Sequence, residues 1–294
     1  VIDSMKLIVA GFTQSCSLFF VGPTGVGKSE LARLIGKRYS SNFMKINCAE
    51  YSGGHEYAKL IGSPPGYVGH SDKSLLAEKA ERSNRWVFLF DEIEKAHPKF
   101  YDFLLSLLDD GTVTDNMGRE LDFSESIFIF TSNQGMHGLK FGSTMGFSDE
   151  QITYEMMKDK IQESVKKHFS PEFLNRLDHF INFNSLSKES IKKIISLELK
   201  GVPIRKHKVL IDYILENSYS EEYGARNIKR FIKTNVTVKV AEAVLEKRVP
   251  MKRGSLYTPK IIEDELHIID TIGYEEIEED EPSNQYNSSS SSGS

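Results

Sequence analysis

Cysteine is scarce in this chain, with two among 294 residues, Cys16 and Cys48, and no C-x-x-C spacing. That excludes a Cys-rich zinc module and fits a reducing compartment, with both thiols expected as small buried hydrophobes. Long apolar runs are missing as well. None approaches the roughly 20 residues of a membrane span, and the first residues lack the pattern of a signal peptide. A basic excess is also absent: the formal charge is −5, and residues 274 to 294 hold six acids and no Lys or Arg, leaving 37 basic against 36 acidic residues elsewhere. A near-neutral body offers no broad face to nucleic acid. The tail itself, Glu275 to Ser294, has too little apolar content to fold and reads as a disordered or artificial terminus. Val1 is not a natural start, so the opening reads as cut from something longer, and targeting information is expected outside it.

What is present is ordinary for a globular protein of one large or two medium domains, at 39% hydrophobic and 27% charged residues. Residues 1 to 12 read as a helix end closed by Gly11. Short runs apolar on both faces follow, at Ser17 to Val21, Phe43 to Asn47, Val87 to Phe90, Ile127 to Phe130 and His179 to Phe183. Helical patterns separate them, from Glu30 to Lys37, around Ser74 to Ser83 and from Pro98 to Asp109. This alternation predicts an α/β domain, a parallel sheet covered by helices on both sides, over residues 1–184. Helical patterns then take over at Glu189 to Leu199, Leu210 to Glu216 and Asn227 to Lys247, with an edge strand or two near Leu266 to Ile269. They predict a small, mostly helical domain over 185–273, followed by the tail, 274–294.

Between the first strand and the first helix stands Gly22-Pro23-Thr24-Gly25-Val26-Gly27-Lys28-Ser29, which satisfies G-x-x-x-x-G-K-[ST] at every fixed position. Glycines let the backbone turn its N–H groups inward, and the following helix offers its positive end. Lys28 can then reach the outer phosphates of ATP, and the Ser29 hydroxyl can ligate Mg²⁺. A second half-site follows about sixty residues later, where the strand Val87 to Phe90 ends in Asp91-Glu92. Carboxylates at a strand's C-terminal end lie where parallel sheets bind ligands. Asp91 is expected to hold Mg²⁺ and Glu92 to polarise the water that attacks the γ-phosphate. The next strand ends in Thr131-Ser132-Asn133. Asn133 could hold that water or sense the γ-phosphate, yet an asparagine after a strand is also a common turn former.

Taken together these residues resemble the AAA+ ATPases and, within them, the second ATPase module of Clp unfoldases such as ClpA, ClpB and ClpC. The resemblance spans roughly residues 13 to 250: Gly22 to Ser29 resembles the Walker A loop of these P-loop NTPases, Phe90 to Pro98 the Walker B strand and its exit, and Asn133 the first sensor. Phe173-Leu174-Asn175-Arg176-Leu177-Asp178 is similar to the arginine-finger segment, and Gly224-Ala225-Arg226 to the second sensor. The resemblance implies that Arg176 serves the nucleotide of a neighbouring subunit, and hence a homo-hexameric ring. Read without the family, Arg176 between Asn175 and Asp178 would be a surface ion pair. Arg226 would couple the lid to nucleotide state.

Gly66-Tyr67-Val68-Gly69 resembles the pore loop of these rings, in which Tyr67 and Val68 would grip a threaded polypeptide without sequence demands. On its own a tyrosine in such a Gly-Pro loop is more often a packed turn. The loop from Asp109 to Arg119 is expected to add a second layer to the pore. Met145-Gly146-Phe147 resembles the triplet with which ClpA- and ClpC-type unfoldases dock on a ClpP-type peptidase, although the family has Ile, Leu or Val first; Leu139-Lys140-Phe141 nearby lacks the glycine. The links after Phe12 and from Leu199 to Leu210 are shorter than in the family, and the segment that closes over adenine would precede Val1, so no adenine contact is assigned. The expected function is an ATP-driven unfoldase feeding a ClpP-type peptidase, with no nucleic acid or membrane partner, in a bacterial cytoplasm or plastid-type organelle. A ClpB-type disaggregase is the alternative. A scaffold that scarcely turns ATP over is disfavoured by the intact Lys28, Asp91, Glu92 and Arg176, and a helicase or clamp loader by an aromatic where a strand-tracking loop would carry Lys or Arg.

Overall fold

The computed structural model describes residues 15–63, 66, 72–134, 144–145, 148–151, 154–220, 223–246 and 256–269, together with residues 3, 6 and 10. The expected helix end at residues 1 to 12 and the tail from Glu275 lie largely or wholly outside them. In chain order the larger body runs β1 (Cys16–Val21), α1 (Lys28–Tyr39), β2 (Phe43–Asn47), α2 (Ala58–Ile61), α3 (Leu75–Ala80), β3 (Val87–Asp91) and α4 (Pro98–Asp110). It continues through β4 (Thr112–Thr114), β5 (Glu120–Asp122), β6 (Ile127–Ser132), β7 (Thr144–Met145), β8 (Ser148–Gln151), α5 (Tyr154–His168), α6 (Pro171–Asn175) and β9 (His179–Asn182).

Five of these strands form one sheet in the order β2-β3-β6-β1-β9, and every pairing is parallel. Alternate residues explain why runs without a polar face were needed. Leu18, Phe20, Leu89 and Ile129 pack towards Ala32 and Ile35 of α1, while Phe19, Phe88, Phe90, Phe128 and Phe130 pack towards Phe100 and Leu104 of α4 and Val165 of α5. Both faces are therefore covered, as expected of a parallel sheet. The register of β3 on β6 sets Phe88 opposite Phe128 and Phe90 opposite Phe130, and the rings stack with centroids 5.7 and 5.0 Å apart. The edge of Phe173 in α6 meets Phe130 at 5.3 Å, which anchors the segment before Arg176 to the middle of the sheet.

A second core gathers the remaining elements: α7 (Lys188–Glu198), α8 (Lys208–Ser218), α9 (Arg226–Phe231), α10 (Val238–Leu245) and the hairpin β10 (Thr258–Ile262) with β11 (Glu265–Ile269). Its interior is aliphatic, built from Ile191, Ile195, Leu210, Ile214, Ile228 and Val240 among others. The helical pattern from Asn227 to Lys247 is helical in the structure as far as Leu245, and within it a π-helical turn at Ile232–Thr237 joins α9 to α10. There the Thr237 hydroxyl donates to the Ile232 carbonyl at 3.3 Å and the Asn235 amide to that of Phe231 at 3.3 Å, so side chains compete for the carbonyls that regular i−4 bonds would use. Among the described residues, no helix is long and apolar enough to cross a membrane.

Candidate active site

The phosphate loop leaves the C-terminal end of β1 with its backbone pinned on both sides. Gly22 N–H donates to the Ser132 carbonyl at 3.3 Å, and Phe183 N–H donates to that of Val21 at 2.7 Å. A Cβ on Gly22 would lie 2.4 Å from the Phe183 oxygen, so no side chain fits there. Gly27 takes a left-handed conformation (φ 102°) as the N-cap of α1, and no side chain caps that helix. Its first N–H groups are thus left to an anion at the helix's positive end. The Lys28 ammonium donates to the carbonyls of Gly22 and Pro23, at 2.5 and 2.8 Å. Burial pulls its pKa down to about 8, against the charges of Glu94, Asp91 and Glu92.

β3 carries Asp91 to the same edge. The Ser29 and Thr131 hydroxyls donate to Asp91 Oδ1 at 3.0 and 2.5 Å, and Lys45 Nζ pairs with Oδ2 at 2.6 Å. Burial acts to raise the Asp91 pKa but is outweighed by the hydrogen bonds from Lys45, Thr131 and Ser29, so the carboxyl stays below its ordinary value. The Ser29 hydroxyl and an ionised Asp91, side by side, are the hard oxygen donors that suit a Mg²⁺ ion retaining water and phosphate ligands. Among the described residues no group of three or more His, Cys, Asp or Glu could hold a metal ion. Glu92 sits at φ 58° and ψ 51°, a left-handed conformation costly for a side chain other than glycine. It is held there by the bond from its N–H to Thr131 Oγ1 at 3.1 Å, and its carboxylate pairs with Lys95 at 2.6 Å.

A cleft of roughly 560 Å³ joins these groups. Lys28, Ser29, Asp91, Glu92 and Asn133 line it from the sheet side, and Arg226, Ala225, Ile194, Leu197 and Lys229 from the smaller body. The two bodies meet backbone to backbone: Ala225 N–H donates to the Gly25 carbonyl at 3.1 Å. A Cβ on Gly224 (φ 56°) would lie 2.7 Å from the Thr24 oxygen. Gly224→Ala would add left-handed strain of about 1–3 kcal/mol and force this turn off the loop. Nucleotide affinity is expected to fall about tenfold in a fluorescent-nucleotide titration; unchanged affinity would mean that the turn does not shape the loop.

Comparison with known proteins agrees on what this arrangement is. The family described as "AAA domain (Cdc48 subfamily)" matches residues 13–180, and that described as "C-terminal, D2-small domain, of ClpB protein" matches residues 186–256. The chain belongs to the AAA+ ATPases. It has the make-up of a Clp-type C-terminal ATPase module. A "Chaperone protein ClpB" of Oceanobacillus iheyensis is 41% identical over 256 residues, covering 81% of this chain and 32% of that protein. An "ATP-dependent Clp protease ATP-binding subunit ClpC" of Staphylococcus aureus is 40% identical over 245 residues, covering 78% and 30%. The chain thus spans about a third of the length of these relatives. A solved structure described as "Closed State CryoEM Reconstruction of Hsp104:ATPyS and FITC casein" superposes with a TM-score of 0.76 at 29% identity, covering 91% of this chain and 48% of that one.

Within this AAA+ module Arg176 stands apart from the cleft. It follows α6, with Nε donating to Asp109 at 2.5 Å and one terminal nitrogen to the Glu172 carbonyl at 3.1 Å. Two residues on, Asp178 accepts from Ser17 N–H at 2.7 Å, which places the segment at the start of β1, a strand's length of roughly 17 Å from the phosphate loop. Tyr67, Val68, Gly146 and Phe147 lie outside the described residues. Around them, Gly66 is left-handed (φ 89°), and Met145 belongs to β7, which pairs with β8 where the sequence suggested only a Gly-rich loop. The expected second pore layer is a hairpin, β4–β5, whose turn bonds back through Asn116 N–H to the Ile61 carbonyl at 2.9 Å. Sequence reasoning missed Lys45, Glu94, Ile194 and Leu197. Only Leu197 left a trace, as an apolar residue off the buried face of its helix, 58% exposed.

Proposed function

We propose that this AAA+ module hydrolyses ATP within a homo-hexameric ring and uses the energy to thread polypeptides through the ring's pore. The observation that carries the proposal is the division of the catalytic groups. Lys28, Ser29, Asp91, Glu92, Asn133 and Arg226 share one cleft, while Arg176 is fixed at the far end of β1. A guanidinium so placed reaches a γ-phosphate only in another subunit, which makes hydrolysis depend on assembly. Ser29 and Asp91 would hold Mg²⁺, which when bound neutralises charge on the β- and γ-phosphates. Lys28 turns from its carbonyl partners to the phosphates, Glu92 takes up the proton side of the attacking water, and Arg226 carries nucleotide state to the smaller body.

Protein substrates fit the near-neutral charge and the loop at Tyr67 and Val68, and the relatives are named as chaperones and as a subunit of a Clp protease. Met145-Gly146-Phe147 favours delivery to a ClpP-type peptidase. The ClpB-type disaggregase is the second reading, favoured by the ClpB small-domain match. Tyr67→Ala in the assembled protein is expected to keep ATP turnover within about threefold while translocation of a folded reporter drops below a tenth, because phosphate chemistry uses none of the tyrosine's atoms. Retained translocation would remove the loop from the mechanism. Co-sedimentation with a ClpP ring in ATP, lost on Phe147→Ala, supports delivery; no co-sedimentation of the parent chain moves the disaggregase ahead.

A further inference from the structure

Glu94 lies three residues beyond Asp91, in the 3-10 turn Ile93–Lys95, and none of the motif roles uses it. Ile93, wholly buried beside it, fixes the turn in the core. One Glu94 carboxylate oxygen, Oε1, accepts from the backbone N–H of Asn133 at 3.4 Å. The other, Oε2, is buried with no hydrogen-bond partner, and among the described residues no other carboxylate oxygen of an Asp or Glu is in that condition. A buried anionic oxygen without a donor is among the more expensive features a fold can keep. Glu94 does not line the cleft itself, whereas Asn133 does. Of the charges opposing the burial of Lys28, that of Glu94 is the largest, ahead of Asp91 and Glu92, in keeping with a position just behind the cleft wall.

A donor close at hand for Oε2 is the side-chain amide of Asn133, whose backbone N–H already bonds to Oε1. Its Nδ2 is four bonds from that backbone nitrogen, so rotation about χ1 and χ2 can turn it towards the carboxylate. An asparagine amide has one donor end and one acceptor end. With Nδ2 turned back to an anion, Oδ1 is the end that faces the cleft. We propose that Glu94 is a positioning residue for Asn133, fixing its amide so that Oδ1 accepts from the attacking water rather than Nδ2 donating to the γ-phosphate. Asn133 thereby orients the nucleophile towards Glu92 and contributes little to holding nucleotide. The inference rests on the reading of the cleft as an ATPase site and deepens it by assigning the polarity of one group.

The test is a pair of complementary substitutions in the full-length assembled protein. Glu94→Gln offers a donor where an acceptor stood, which lets the Asn133 amide turn over and present Nδ2 to the cleft. Its kcat is expected to fall about 10- to 100-fold, with nucleotide affinity changed less than threefold. Asn133→Asp alone sets two carboxylates together and should lose as much. Combined, the glutamine amide donates to one aspartate oxygen and leaves the other facing the water, so Glu94→Gln/Asn133→Asp is expected to recover at least tenfold over either single variant. Glu94→Gln turning over within twofold of the parent, or a double variant no faster than the slower single one, overturns the assignment. If Glu94→Gln alone fails to bind nucleotide, the double variant decides: recovery of binding and turnover supports the pairing, and an inactive double variant sinks it. A parent ring with no ATP turnover would instead sink the ATPase reading, which separates the two failures.

Discussion

Turnover in assembled rings is expected to fall by about 10³–10⁵ on Arg176→Ala, the range over which an arginine supplied to a transferring phosphoryl group acts, while nucleotide affinity of the isolated module stays unchanged. Affinity is spared because Arg176 lines no part of its own cleft. The fold is spared because backbone and neighbouring groups hold the segment: Asp178 accepts from Ser17 N–H at 2.7 Å, its own N–H donates to Ser17 Oγ at 2.9 Å, and Phe173 is locked against Phe130. The ion pairs with Asp109 and Glu172 are lost, but these are solvent-screened contacts of small weight. Mixing decides whether the arginine acts across subunits. A Lys28→Ala chain supplies an intact arginine and an Arg176→Ala chain an intact phosphate loop, so mixed rings regain interfaces with both. If mixed rings form and recover no turnover, the arginine does not act in trans.

Glu92→Gln is expected to lower kcat by about 10²–10⁴, the usual contribution of a positioned general base, with ATP still bound. Lys28, Ser29 and Asp91 keep their places, since none of their hydrogen bonds passes through the Glu92 side chain. The left-handed backbone at Glu92 also survives, because the bond from its N–H to Thr131 Oγ1 is untouched. Only the pair with Lys95 is lost, a partly exposed contact worth about 0–1 kcal/mol, so thermal unfolding of the variant should match the parent. Single-turnover hydrolysis beside nucleotide titration checks both halves, and parent-like turnover would strike Glu92 from the mechanism.

The sequence by itself determined the groups that work within a few residues of one another. The strand-loop-helix of Gly22 to Ser29 and the strand ending at Asp91 were legible because a both-faces apolar run, glycines and a helical repeat are local signals. Phe43–Asn47 was found with the bounds its pattern predicted. The β4–β5 hairpin was read only as a loop, since strands of three residues carry too little periodicity, although Asp115, Asn116 and Gly118 spelled a turn. What only the tertiary structure decided depends on strand order and on docking between bodies, for which no local pattern exists. Placing β6 beside β3 brings the Thr131 hydroxyl onto Asp91 and the Asn133 backbone onto Glu94. Placing β2 at the sheet edge beside β3 lets Lys45 reach the same aspartate. Seating the Tyr223–Ala225 turn on Gly25 closes the cleft with residues about 200 positions away. Each of these contacts joins segments whose separation in the chain says nothing of their distance in space, because a parallel crossover or a second domain can carry either end anywhere along the sheet.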